Sequence, residues 1–168
     1  MGAGKYLAIF AALLTILGTY VFAMYSLSSG YTASAIGVMQ GLDVTFDSIG
    51  SYASALGGTW VAYILIIIMI IFSISGFIQF IGIKSRAGIF IFSLFPLVIG
   101  ILITLTLYET IDIIHVNYMM TIPNDEQLIA DVFPYLLELN NLGLGTYFVL
   151  GGGFLGIISA ILPRENTY

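Results

Sequence analysis

Two long apolar runs, Trp60 to Ile83 and Gly88 to Tyr108, meet at a short basic turn, Lys84, Ser85 and Arg86. Gln79 is the one strongly polar side chain in the first run, and the second holds nothing more polar than hydroxyls. Each run therefore carries the roughly 20 apolar residues that cross a hydrocarbon core of about 30 Å as a helix. Such a hairpin belongs in a bilayer. Short loops rich in Lys and Arg stay on the cytoplasmic side, so the turn sets the orientation: both helices enter and leave through the outer face.

Composition agrees. With 60% hydrophobic and 8% charged residues, the chain departs far from the roughly 25% charged residues of soluble domains. Its 168 residues suit one compact membrane domain, 1–168, without a separate soluble domain. The absence of cysteine removes disulfides, thiolate metal sites and cysteine nucleophiles together. A net charge of −5 argues against nucleic acid as a partner.

The expected layout is an all-α integral membrane protein with four spans, at about 6–27, 60–83, 88–108 and 146–162, and both termini cytoplasmic. The first run follows Lys5 and is longer than a signal-peptide core of 7 to 15 residues, without a clean cleavage site after it, so an uncleaved span is expected. Trp60 is an interface anchor. Pro96 removes a backbone hydrogen bond inside the third span, which calls for a kink. On this layout the basic residues Lys5, Lys84, Arg86 and Arg164 are all inside, and all the acids except Glu165 are outside.

The two outer segments, about 28–59 and 109–145, are acidic and expected to be largely helical. In the first, Val38, Leu42, Phe46, Ile49, Tyr52 and Leu56 recur at helical spacing, and Asp43 and Asp47, four apart, share one side. Gly57 and Gly58 punctuate the chain before Trp60. In the second, Pro123 breaks the chain. Asn124, Asp125 and Glu126 then read as a cap and acidic first turn of a helix running through Leu128, Val132 and Leu136, with a kink at Pro134.

Weak internal similarity raises a tandem repeat of a two-span unit. Ile9, Phe10 and Gly18 match Ile91, Phe92 and Gly100, and Leu56 to Trp60 matches Leu144 to Tyr147. Both halves begin inside, so the repeat would be parallel, about an axis along the membrane normal. In outline the topology resembles that of the tetraspan families. The resemblance ends there, because the Cys-Cys-Gly motif of tetraspanins and the paired cysteines of claudins are absent.

Little in the sequence points to chemistry. Pumps, proton-coupled transporters and voltage sensors keep ionisable residues inside their spans, and these spans have none. Gln79, near the inner end of its span, reads as interfacial packing. Glu109, Asp112 and His115 could line one helix face as a metal site, although a second helix would have to complete it, and a solvated face is the simpler reading. No cofactor is expected. Gly151, Gly152, Gly153 and Gly156 in one span, with Gly76 in another, expose helix backbone for close packing, Gly152 and Gly156 as a G-x-x-x-G pair.

The function expected is therefore non-enzymatic: a structural or accessory subunit of a membrane complex or self-assembly, packed through glycine faces, with an acidic outer cap. Its partners would be the lipid bilayer and other membrane subunits or further copies of itself. An Ile-rich, Lys-poor composition suits the cell membrane of a microbe. The alternative is an oligomeric cation channel or transporter component whose outer acids form a vestibule.

Overall fold

A computed structural model describes residues 2–26, 32–40, 42–47, 49–108, 134–140 and 142–163. The described chain is mostly helical. In chain order, α1 is Ala3–Ile16, continued by a π-helical turn at Leu17–Val21, and β1 (Tyr25–Ser26) and β2 (Thr32–Ala33) follow. Three short helices come next, α2 (Ala35–Gln40), α3 (Leu42–Asp47) and α4 (Ile49–Leu56). The long helix α5 (Thr59–Ile81) tightens into a 3₁₀ turn at Gly82–Lys84 before α6 (Arg86–Leu107). The chain returns through β3 (Glu138–Leu139) and β4 (Leu142–Gly143) to α7 (Leu144–Ile161).

Four of these segments, Ala3–Val21, Thr59–Lys84, Arg86–Leu107 and Leu144–Ile161, are long and apolar enough to cross a membrane. They form an antiparallel ring in which each span packs against the next and α7 closes back onto α1. The register follows from close approaches. A Cβ on Gly18 would meet Gly145 and Phe148, and one on Gly152 would meet Ala11 and Thr15, so α1 and α7 run in opposite directions. Gly100 meets Leu150 and Gly153 meets Leu97, which sets α6 antiparallel to α7. Lys5, Lys84 and Arg86 consequently stand at one end of the bundle, and Trp60 at the other.

The local sequence explains the element boundaries. Gly57 (φ 87°) and Gly58 (φ 135°) adopt the positive φ that turns the chain into α5, a region costly for any residue with a Cβ. Ser85 caps α6 by accepting a 3.1 Å hydrogen bond from the Gly88 N–H, which satisfies one of the donors orphaned at a helix start. α6 runs unbroken through Pro96.

The first span ends earlier than the apolar run. Residues 22–26 leave the helix, because their backbone is taken up by pairing at the Trp60 end. The Ala23 N–H donates to Tyr135 O at 3.0 Å, the Met24 N–H to Ala33 O at 2.8 Å, and the Gly143 N–H to Met24 O at 2.7 Å. β1 pairs antiparallel with β2, and β3 with β4. Asn140, at φ 53°, lies in the tight β3–β4 turn, where Asn tolerates the left-handed conformation.

Two further expectations need correction. The helix expected from Val38 to Leu56 is three short helices. The helix expected through Leu136 is not helical there: Pro134 is in a bend, Tyr135 forms a parallel bridge with Phe22, and Glu138 begins β3. Apolar spacing alone missed the competing demand of the β1 backbone, which needs Tyr135 as a partner. Pro123, the Asn124 cap, Leu128 and Val132 lie outside the described residues. As for the repeat, Gly18 and Gly100 both face α7, whereas a two-fold relating the halves would turn Gly100 toward α5.

Candidate functional site

The bundle buries polar side chains inside and turns large apolar ones outward. Thr15, Thr19, Ser73, Ser75, Gln79, Ser93, Thr146 and Ser159 are all buried, while Phe10, Ile67, Phe77, Ile91 and Phe154 are each more than half exposed or close to it. In water so large an apolar surface would be untenable; against lipid tails it is the expected face. The interior is also divided along its length. Toward the Trp60 end Met24, Tyr25, Met69, Phe72, Ile103 and Val149 form an apolar core. Toward the Lys84 end most buried side chains are small or polar, with Ile89 the large apolar exception.

That second zone is built around α7. Gly152, Gly156 and Ser159 recur at helical spacing and so lie on one face. A Cβ on Gly152 would collide with Thr15 Oγ1 on α1, and one on Gly156 with Ser93 Oγ on α6. At Gly153 it would sit 2.6 Å from Leu97 N, one residue beyond Pro96. Small residues here let backbones approach to distances that no methyl would permit, the means by which membrane helices gain packing energy. Gly76 does the same on α5, where a Cβ would lie 2.8 Å from Ile16 Cγ1. Gly151 differs, with only Leu14 Cδ1 at 3.7 Å.

Most of the buried hydroxyls bond back to their own helices. Thr15 donates to Ala11 O at 3.0 Å, Thr19 to Thr15 O at 2.7 Å, Ser75 to Phe72 O at 2.6 Å and Ser93 to Ile89 O at 2.5 Å. Other polar contacts join separate elements. Gln79 Nε2 donates to Ser93 Oγ at 3.0 Å, Tyr20 Oη to Ser73 O at 2.7 Å and Thr146 Oγ1 to Met24 O at 2.8 Å. Gln79 is thus buried between α5 and α6 (0% exposed), not packed at the membrane interface as its position near the end of a run suggested. Its Oε1 and the Ser73 Oγ have no hydrogen-bond partner.

No family model, curated protein or solved structure matches this chain.

The structure places the remaining expected residues as follows. Lys84 and Arg86 are exposed at one end; Lys5 is half-buried at the same end, and Arg164 lies outside the described residues. Trp60 is 67% exposed in the first turn of α5. Glu109, Asp112 and His115 lie outside the described residues, and among those described no cluster of three metal-ligating side chains occurs. Asp43 and Asp47 both fall on α3, with Asp47 exposed. Sequence reasoning missed the cross-element bonds of Tyr20 and Thr146. It also missed Ser159 as part of the α7 face, although the Gly-x-x-x-Gly-x-x-Ser spacing carried that signal.

Proposed function

We propose that this chain is a non-enzymatic, multi-pass membrane protein that serves as a structural or accessory subunit, in a complex with other membrane proteins or with further copies of itself. The observation that carries the reading is how α7 fills the interior: Gly152, Gly153 and Gly156 stand closer to α1 and α6 than a methyl group could. A single bundle packed so closely is a scaffold without a conduit, and its buried hydroxyls are mostly committed to helix carbonyls. No ionisable side chain stands in the interior of the described spans to drive proton or ion coupling.

In this reading the Lys84 end is cytoplasmic, as are both termini, and the chain resides in the cell membrane of a microbe. The acidic segments form an outer cap, and the exposed Phe and Ile faces meet lipid and neighbouring subunits. The test is extraction of the protein from its native membrane in mild detergent, with the particle mass measured and its components identified. A defined complex or homo-oligomer that passes no cations when reconstituted is the expected result. A lone monomer would overturn the assembly role, and cation flux that is lost when Asp43 and Asp47 are neutralised would establish the channel alternative instead.

A further inference from the structure

One face of α5 is exposed from end to end. Trp60, Tyr63, Ile67, Ile74 and Ile81 recur at helical spacing and are all exposed, opposite the buried Ala62, Met69, Ser73 and Gly76. From Trp60 to Ile81 this stripe measures about 32 Å, close to the hydrocarbon thickness of about 30 Å. With Lys84 just beyond one end, Trp60 and Tyr63 fall at the opposite boundary of the bilayer. The Trp60 indole agrees: a Cβ on Gly58 would stand 3.1 Å from its Nε1, so the N–H edge turns back toward the start of the helix. α3 meets α5 at this level and on this face. The Phe46 ring lies 6.5 Å from that of Tyr63, tilted by 38°, and it stays exposed. α3 therefore sits beside the outward rim of the bundle, not over its buried interior. Asp47, the next residue, is exposed as well.

We infer that α3 is an interfacial anchor: Phe46 enters the bilayer beside Tyr63 and Trp60 at the depth of the headgroup boundary, while Asp47 remains in water. The occupant of this face is lipid for three reasons. The face is continuous with the apolar stripe of α5, which meets acyl chains in a spanning chain. It stands at the depth where Trp and Tyr are favoured. It also sets an exposed carboxylate directly beside an exposed ring. A lipid–water boundary satisfies both side chains at once, as it does for helices that lie in the interface plane, whereas the core of a protein interface is depleted of charge. The inference rests on the chain spanning a bilayer and is independent of the accessory role.

Trp60 is the only tryptophan, so depth can be read from intrinsic fluorescence. The full chain is reconstituted in phosphatidylcholine vesicles whose acyl chains carry bromine either near the headgroup or near the chain end, with acrylamide as the aqueous quencher. The unaltered chain, read at Trp60, should lose most of its fluorescence to shallow bromine and little to deep bromine; a deep or purely aqueous pattern would overturn the level assigned to the ring pair. Phe46→Trp in a Trp60→Phe background should share the shallow pattern and be shielded from acrylamide. Ile67→Trp in the same background, about 10 Å deeper than Trp60 along the stripe, should instead respond to deep bromine. Quenching of Phe46→Trp by acrylamide but not by brominated lipid would place α3 in water and overturn the inference. Protection from all three quenchers would mean that protein covers the face, a second copy or another subunit, and would overturn it equally. In both cases deep quenching of Ile67→Trp would leave bilayer residence standing, whereas Ile67→Trp untouched by any bromine would overturn residence and anchor together.

Discussion

Gln79 on α5 and Ser93 on α6 form a hydrogen bond whose direction is fixed by a third group. Ser93 spends its one hydroxyl proton on Ile89 O, so it can only accept from Gln79, and the Gln79 amide must present Nε2 to it. The amide oxygen is left buried and unpartnered. The pair therefore ties two spans together at the cost of one orphaned acceptor.

Substitutions at the two positions should be unequal as a result. Ser93→Ala strips the amide of its partner and leaves a buried polar group unsatisfied, which costs about 1–3 kcal/mol. Gln79→Met keeps the volume and removes the orphaned oxygen, while Ser93 retains its bond to Ile89, so it should be within about 1 kcal/mol of neutral. Denaturant unfolding in detergent micelles measures both. Equal losses at the two positions would contradict the proposed direction of the bond.

The glycines of α7 should separate in the same assay. Gly153→Ala places a methyl 2.6 Å from Leu97 N, against backbone that cannot yield cheaply, and should destabilise by about 1–3 kcal/mol. Gly151→Ala meets only ordinary contact with Leu14, and should be neutral or gain up to ~1 kcal/mol of helix propensity. If both alanine variants behaved alike, α7 would not be held by the contacts described.

How much of this was legible in the sequence depends on how local the signal was. The long helices follow from apolar run length, and the α5–α6 turn from Lys84 to Arg86 sits where the charges stand. Gly57 and Gly58 marked their turn because positive φ is a property of single residues. The end of α1 was not legible. Tyr25 continues an apolar run, and only the demand of its neighbours for partners as distant as Tyr135 and Gly143 takes it out of the helix. The same non-local pairing accounts for Pro134 to Leu139 forming bridge and strand where apolar spacing suggested helix. The interior site was half legible: the glycine face of α7 could be read, but the burial of Gln79 depends on α6 presenting Ser93 opposite it.

Stability should also fall at high pH through Tyr25. This residue lies beyond the first span, and burial raises its phenol above the ordinary value of 10.0. Below that value the phenol is protonated in both the folded and the unfolded chain and contributes no pH dependence. Above it the unfolded chain releases a proton that the folded chain retains, so stability declines by up to ~1.4 kcal/mol per pH unit. Tyr25→Phe should flatten this decline, as measured by unfolding midpoints between neutral and strongly alkaline pH. Parallel declines in the two proteins would show that Tyr25 does not carry the effect.

The absence of cysteine makes orientation directly measurable, since any thiol introduced is unique. Ala87 and Asp47 are both exposed, and they stand at opposite ends of the bundle, one beside Arg86 and the other on α3. If the Lys84 end is cytoplasmic, as retention of basic loops requires, a membrane-impermeant maleimide added to intact cells should label Asp47→Cys and spare Ala87→Cys until the membrane is broken. The reverse pattern would invert the topology and place Lys84 and Arg86 on the outer face. Neutralising Lys84 and Arg86 together leaves Lys5 and Arg164 as the remaining basic residues, so a fraction of the chains should then insert the other way round. That fraction would be read as new labelling at Ala87→Cys in intact cells. An orientation unmoved by the double neutralisation would mean that the first span, with Lys5, sets the topology without help from the turn.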